Sequence, residues 1–347
     1  MVCGGRSLLH SVHCPRSEST VECPCFARLL RVILCIEGTA LPKAFPATAP
    51  RIGLEVARKH VPCNVCGSSE QRPFCPENGL GLVQCAHCGL VYVSPRPDPN
   101  ELYALYGETY FHNDESGVVG YTNYLRDEAN IRKTFAGRLK WLERFVQPGR
   151  LLDVGCAAGF FLDEAHQRGW QVEGLDVSTF AVKYARERFG YDVRHGSLTH
   201  LDYPEGAYDL VTMWDVIEHV PDPMAYLRKT AALLRSGGVF SLATPDVDSL
   251  PARLTGARWV GYKLSEEHVY YFSVRMLRRM LDEAGFDVID TRHVGKYVTL
   301  RLFLNRLGMY SPLLAKSLEL AERAFRLSEW SLYINPLDIV AVTARRR

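Results

Sequence analysis

Four cysteines carry the most specific chemistry in this chain. "CNVC" supplies Cys63 and Cys66, "CAHC" supplies Cys85 and Cys88, and the whole reads C-x2-C-x18-C-x2-C. Each pair can present two thiolates to one tetrahedral zinc, and Gly67 and Gly89, directly after the pairs, permit the tight knuckle turn. Four sulfurs close the coordination shell. The zinc expected here is therefore structural, with His87 and Cys75 as bystanders.

A second constellation lies in "LLDVGCAAGFF", which reads Asp153-x-Gly155-x-x-x-Gly159. The glycines bracket a turn from strand to helix, where a side chain would collide with a ligand lying across the strand ends. The helix N-terminus favours a carboxylate or phosphate. A dinucleotide turn reads GxGxxG instead, and Asp153 would repel a pyrophosphate; it suits a ligand that carries an ammonium beside its carboxylate. About 20 residues on, at the end of "VEGLDV", Asp176 stands where a carboxylate accepts both hydroxyls of a ribose. An amino acid at one loop and a nucleoside at the next match S-adenosylmethionine. Cys156 has no basic neighbour in sequence to activate it and reads as a small packed residue.

Transfer of a sulfonium methyl group requires chiefly an aligned nucleophile and a dry site. "WDVIEHVPDP" sets Asp215, Glu218 and His219 at steps of three and four, able to share one side of a helical turn. His219 can take a hydroxyl proton; alternatively, Glu218 and His219 only shape the pocket and cap the helix. "WVGYKLSEEHVYYFS" adds His268 among Trp259, Tyr262, Tyr270 and Tyr271, either facing substrate or simply packed.

These residues need a scaffold, and the surrounding pattern supplies one. From Arg150 the chain alternates strands and helices: "RLLDVGC", "FFLDEAHQRG", "WQVEGLDV", "TFAVKYARERFG" with Ser178 as N-cap, "YDVRHG", "YDLVTMW", a helix ending at "LLRSGG", and "VFSLATP". Such alternation predicts a parallel sheet with helices on both faces. A helix "VRMLRRMLDEAGF", capped by Ser273 and stopped by Gly285, leads to "DVIDTRHVG", and "DIVAVTARR" closes the domain. Between these two strands a helix opened by Ser311 and Pro312 is expected, with Leu314, Leu318, Ala321, Phe325 and Leu332 on one side. Before the alternating region, Tyr124, Ile131, Phe135, Leu139, Leu142 and Phe145 form one stripe of an amphipathic helix. The expected organisation is an unstructured extension over 1–55, a zinc ribbon over 56–100, a helical linker and lid over 101–147, and a catalytic domain over 148–347 with a helical insertion near 299–333. Cysteines 3, 14, 23, 25 and 35 fall in the extension, where "CPC" is an alternative second metal knuckle.

"LLDVGCAAGFF", "VEGLDVS", "YDLVTMWDVIEHVPDP" and "LLRSGGVFSLATPD" together resemble the successive signatures of class I S-adenosylmethionine-dependent methyltransferases over about Leu151 to Pro245. The resemblance implies an α/β, Rossmann-like doubly wound sheet of seven strands, the last antiparallel. It places Gly155 and Gly159 against the methionine part of the cofactor, Asp153 near its amine and Asp176 on the ribose, within a binding set that also takes in Cys156, Ala157, Val177, Ser197 and Trp214. Ala157 departs from the glycine of many relatives, and Gly196, Ser197 and Leu198 stand where an acid often holds adenine. The stretch around Asp215, Glu218 and His219 is similar to ubiquinone-pathway O-methyltransferases, which implies a divalent cation on those three residues. The cysteine pairs resemble the N-terminal zinc ribbon of bacterial methyltransferases acting on sugars, glycans or other small metabolites, in which a segment like that around His268 flanks the substrate entrance.

Composition bounds the rest. A net charge of +2 over 347 residues does not advertise a nucleic-acid partner, although nine Lys or Arg against four acids from Lys296 onward make the C-terminal part basic. That helix, through Arg301, Arg306, Lys316, Arg323 and Arg326, is the expected place for any peripheral membrane contact. No apolar run approaches the roughly 18 residues of a spanning helix, no secretion signal is read, and eleven cysteines suit a reducing cytoplasm as thiols and metal ligands. The sequence thus points to methyl transfer onto a small-molecule, sugar or lipid-linked acceptor at oxygen. The rivals are an RNA methyltransferase, which lacks an "NPPY" or "DPPY" segment here, and a noncatalytic zinc-binding protein.

Overall fold

The computed structural model describes residues 58–75, 81–104, 106–112, 124–264, 267–308 and 330–347. Strands β1 (Gln71–Pro73), β2 (Leu82–Cys85) and β3 (Val91–Val93) precede helices α1 (Pro99–Ala104), α2 (Glu108–His112) and α3 (Glu128–Leu142). The alternating region follows as β4 (Arg150–Val154), α4 (Phe160–His166), β5 (Gln171–Asp176), α5 (Thr179–Phe189), β6 (Asp192–His195), β7 (Tyr208–Trp214), α6 (Pro223–Leu233) and β8 (Leu234–Pro245). Then come α7 (Leu250–Thr255), β9 (Tyr270–Tyr271), α8 (Val274–Glu283), β10 (Phe286–His293), β11 (Lys296–Thr299), α9 (Leu300–Gly308), β12 (Ser331–Ile334) and β13 (Ile339–Arg346).

Seven of these strands make one sheet in the order β10-β13-β8-β7-β4-β5-β6. β13 alone runs against its neighbours, antiparallel to both β8 and β10, as the sequence implies. Alternate residues of each strand face opposite layers. Leu152, Val154, Val211, Met213, Phe240 and Leu242 pack on one side; Leu151, Leu210, Val239 and Ala341 pack on the other, under Leu139 and Leu142 of α3. Across this second face runs a buried polar row in register, Asp153 beside Thr212, Ser241 and Thr343. Thr212 donates to Asp153 at 2.6 Å, and the Ser241 and Thr343 hydroxyls bond at 3.0 Å. Serine and threonine fit here because each polar atom finds its partner on the neighbouring strand.

The capping expectations hold. Ser178 accepts from the Ala181 N–H and Ser273 from the Met276 N–H, while Gly285 turns at φ 92° after α8. Three local expectations change. α6 ends at Leu233, and the "RSGG" turn read as its tail belongs to β8. Leu332, assigned to a late helix, lies in β12, paired with Val298 of β11; the rest of that helix, over 309–329, lies outside the described residues, as does the extension over 1–55. Tyr124 precedes α3 instead of joining it and stacks on Phe160 with ring centroids 5.7 Å apart.

The ribbon continues into the catalytic domain through its last strand: β3 pairs antiparallel with β9, Val91 opposite Tyr271 and Tyr92 opposite Tyr270. The described residues all belong to one compact unit. Cys63, Val65, Cys85 and Tyr92 share a core with Met224, Tyr226 and Phe272. Asn64, inside the first knuckle, donates to the Asp222 carboxylate at 2.8 Å and accepts from the Met224 N–H at 3.0 Å, so it joins Asp222 in capping α6. Arg96 donates to the Pro221 carbonyl at 2.9 Å while lying over the Tyr270 ring. Replacing Asn64 with Ala is expected to cost about 1–2 kcal/mol by removing both bonds. Urea unfolding of Asn64→Ala, Asp222→Ala and the double variant should show less than additive losses; additive losses would mean that the knuckle does not support the helix.

Candidate functional site

The sheet's order reverses around β4. The chain moves outward from β4 to β5 and β6, then returns to β7 on the other side, which makes the carboxyl ends of β4 and β7 a topological switch point, the place where open α/β sheets form their ligand crevice. Asp153, the loop from Gly155, Asp176 and the stretch from Asp215 all stand at that edge.

Gly155 adopts φ 73°, and a Cβ there would come within 2.5 Å of Val216. Gly159 caps α4 at φ 83°, and its missing Cβ would meet Ala185 of α5 at 3.0 Å. Protein neighbours alone already call for glycine at both positions, Gly159 serving the close approach of two helices, in addition to the ligand contact expected from the sequence. Ala157 sits at φ 46°, in the region glycine occupies most easily, and donates its N–H to Asp176 Oδ2 at 2.9 Å. The Cys156 side chain turns inward beneath Gly174 and Leu162, and burial holds its thiol far above the ordinary range.

Both acids are buried. Asp153 is 2% exposed, and burial, reinforced by the Asp176 charge, pushes its carboxyl up to about 8 despite the Thr212 bond. Asp176 is also raised by burial, against the backbone N–H groups of Ser178 at Oδ1 and Ala157 at Oδ2 and that of Val177, which leave part of the carboxylate's accepting capacity open. The Val177 carbonyl is engaged by His195 Nε2 at 3.0 Å. Ser197 is buried with its hydroxyl 2.5 Å from His200 Nδ1. Trp214 stacks edge-on with Phe161, and its indole N–H has no partner among the described residues.

One residue escaped the sequence reading. Arg138 of α3 is buried, lies 4.7 Å from the centre of the Trp214 ring, and leaves Nε and Nη2 without partners among the described residues. Its charge lowers both Asp153 and Asp215. In sequence it looked like an ordinary polar position of an amphipathic helix; only the packing of α3 across the sheet buries it.

On the far side of the crevice Glu218, His219 and His268 converge, with ligand atoms all within 4.8 Å of one another. Asp215 does not join them. It turns to Lys296, 2.8 Å away, and although burial alone would raise its carboxyl, Lys296 and Arg138 hold it below the ordinary value. The trio expected to hold a cation, Asp215, Glu218 and His219, is therefore replaced by one in which His268 stands in for Asp215. Glu218 is 1% exposed; Oε2 accepts from Thr244 at 2.9 Å, Oε1 has no partner among the described residues, and burial together with the Asp215 charge pushes the carboxyl up to about 8. His219 Nδ1 lies 2.9 Å from the Glu267 carbonyl and 2.7 Å from Tyr106 Oη, leaving Nε2 4.0 Å from Glu218 Oε1. Burial pulls this imidazole down to about 4, against the Glu267 bond. His268 packs edge-on against His219 with centroids 4.5 Å apart; its Nδ1 and the nearby Tyr271 hydroxyl lack partners among the described residues. Tyr106 lies over the crevice, close enough to Glu218 and Asp176 for both charges to raise its phenol beyond the larger effect of burial.

In the ribbon, Cys63 and Cys88 bring their sulfurs to 3.4 Å and Cys66 and Cys85 to 3.5 Å, and all four lie within 4.8 Å. Gly67 and Gly89 turn at φ 71° and 82° while donating to the Cys63 and Cys85 carbonyls. His87 stays outside, bonded to Glu70, and Cys75 faces Tyr262.

A family model described as a methyltransferase domain matches residues 125–291. A protein of Mycolicibacterium smegmatis named "Probable S-adenosylmethionine-dependent methyltransferase" is 32% identical over 142 residues, covering 41% of this chain and about half, 53%, of its own length. A ubiquinone biosynthesis O-methyltransferase of Leptothrix cholodnii is 30% identical over 176 residues, 45% of this chain and 72% of that protein. A solved SAM-dependent methyltransferase of Archaeoglobus fulgidus covers 64% of this chain and 99% of its own, at 18% identity and a TM-score of 0.44. Similarity to most of a curated methyltransferase, centred on the strands and loops that build the crevice, shows that the chain belongs to the S-adenosylmethionine-dependent methyltransferases.

Proposed function

We propose that the protein methylates a hydroxyl of a small-molecule acceptor, sugar or lipid-linked, in the crevice between Asp153 and His268. The observation that carries this reading is a set of buried polar atoms without partners among the described residues, on segments that meet around the carboxyl end of β7: Arg138 Nε and Nη2, Trp214 Nε1, Glu218 Oε1, His268 Nδ1 and Tyr271 Oη. Each such group costs about 1–3 kcal/mol unless a ligand satisfies it. The O-methyltransferase activity named for relatives supports oxygen as the accepting atom.

S-adenosylmethionine supplies the electrophilic methyl group. Arg138 suits the cofactor carboxylate, Asp153 its ammonium, and the remaining lone pairs of Asp176 the ribose hydroxyls. Ser197 is already engaged by His200, so adenine recognition falls mainly on backbone groups. On the acceptor side, His268 Nδ1 and Tyr271 orient the hydroxyl, and Glu218 Oε1 takes its proton. A carboxyl raised to about 8 is well matched to that task near neutral pH. His219, tied by Tyr106 and Glu267, fixes the geometry of the pair. A second reading follows from the same cluster: two neutral imidazoles and a carboxylate within 4.8 Å suit a divalent cation. We assign the four ribbon cysteines to one structural zinc, since sulfurs about 2.3 Å from a tetrahedral metal stand less than about 4 Å apart.

Arg138→Met should weaken cofactor binding about 10- to 100-fold by calorimetry, the effect of removing a charged hydrogen bond, with the fold retained; unchanged affinity would remove Arg138 from the carboxylate. The acid–base assignment has a signed consequence. Because the folded Glu218 carboxyl is raised above its ordinary value, its contribution to stability is complete at low pH and is lost as pH rises toward about 8. Methyl transfer should rise over that same window. Glu218→Gln should abolish the rise in rate and reduce the fall in stability, leaving the share that the raised Asp153 and Asp176 carboxyls contribute, read by initial rates and by urea unfolding; a variant with the parent's pH–rate profile would exclude Glu218 as the base. Metal analysis should find one zinc per chain, lost when all four ribbon cysteines become serine. A second equivalent that disappears in His268→Ala would favour the metal-assisted reading.

A further inference from the structure

The face made by α7 and the first turns of α8 combines two features that seldom meet on an ordinary protein surface. Ala252 is buried, and at about 100° per residue the opposite side of α7 presents Leu250 and Leu254, which are 60% and 52% exposed. Arg253 projects from the flank of the same helix, beside Leu250, and with Arg275 and Arg278 of α8 lines an open basin of about 580 Å³ completed by Asp248 and Val274. Three guanidiniums thus face one carboxylate. The apolar exposure extends along the same edge of the sheet. Asp246, just after β8, donates its N–H to the Asp338 carbonyl, which sets Leu337, 47% exposed, beside the base of the α7 segment.

We propose that this face docks the protein on an anionic lipid bilayer, Leu250 and Leu254 entering the acyl boundary while Arg253, Arg275 and Arg278 pair with lipid phosphates. Charge complementarity selects this partner: a neutral surface would use the leucines and leave the guanidiniums unmatched, whereas a free phosphate would use the guanidiniums and leave the leucines in water. Arginine suits the boundary because its aliphatic stem lies along apolar groups while its planar head binds phosphate. The contact surface differs from the C-terminal helix expected from sequence charge. β9 runs through Phe272 and Ser273 directly into α8, so the docked face adjoins the strand that follows His268. Delivery of a lipid-borne acceptor from the bilayer would follow, a consequence that rests on the methyltransferase reading above.

Flotation of the full chain with phosphatidylglycerol–phosphatidylcholine vesicles, and with pure phosphatidylcholine vesicles, tests the proposal. Partitioning should favour the anionic vesicles at least about tenfold and fall steeply with salt. Leu250→Ser with Leu254→Ser, and separately Arg275→Glu with Arg278→Glu, should each lower it about tenfold or more, while Arg275→Lys with Arg278→Lys keeps most of it. Calorimetric affinity for S-adenosylmethionine should be the same in all variants, which checks their folding. Equal binding to both vesicle types would overturn the proposal. So would undiminished binding by the first two variants, loss confined to reversal of Arg323 and Arg326, or complete competition by soluble glycerol phosphate. Failure of the parent chain to bind S-adenosylmethionine would instead overturn the methyltransferase reading, with the vesicle result unaffected.

Discussion

A parallel strand buried on both faces must end somewhere, and the reversal of strand order beside β4 makes that end a crevice. Everything chemical in the molecule depends on this constraint. Since β5 and β7 flank β4 and their connections leave in opposite directions, the carboxyl end of β4, where Asp153 stands, is a topological switch point of the sheet. Polar groups brought there are shielded by the surrounding layers, which explains why Asp153, Asp176 and Glu218 are all buried with carboxyls pushed upward. The buried Arg138 supplies the opposite charge from α3, on the helical layer above the sheet.

The polar row beneath the crevice ties the charge to the sheet. Thr212 fixes Asp153 by a short hydrogen bond from the neighbouring strand, and Ser241 and Thr343 continue the row through β8 and the reversed β13. A row satisfied within itself holds its members in fixed positions. Arg138, Trp214, Glu218 and His268 instead keep buried polar atoms without partners among the described residues. This division between groups that complete the scaffold and groups left for a ligand separates the support of the site from its chemistry.

The ribbon takes part in that support. Its edge strand β3 adds to β9, and its knuckle residue Asn64 caps the helix that follows the Glu218–His219 segment. The backbone N–H groups of Val269 and Tyr270 in turn donate to the Glu218 carbonyl, so the segments bearing Glu218 and His268 are tied to each other as well as to the ribbon. A module that looks independent by cysteine spacing is a wall of the catalytic domain.

What the sequence determined by itself was whatever depends on local periodicity and fixed spacing. The alternation of strands and helices, the caps at Ser178 and Ser273, the four convergent cysteines and the placement of Asp153 and Asp176 at strand ends were all legible, because neighbouring residues impose them. The convergence of His268 with Glu218 and His219 was not legible, since the long intervening stretch must fold before the strand following His268 returns beside the β7 loop. The diversion of Asp215 to Lys296 required a contact across the sheet, and Arg138 became a buried cation only when α3 packed over Trp214. Leu332 followed its β-strand partner, overriding a helical pattern. Local sequence sets which elements form and which chemical groups they carry, while burial and long-range pairing, decided only by the tertiary structure, choose which of those groups meet and which remain for a ligand.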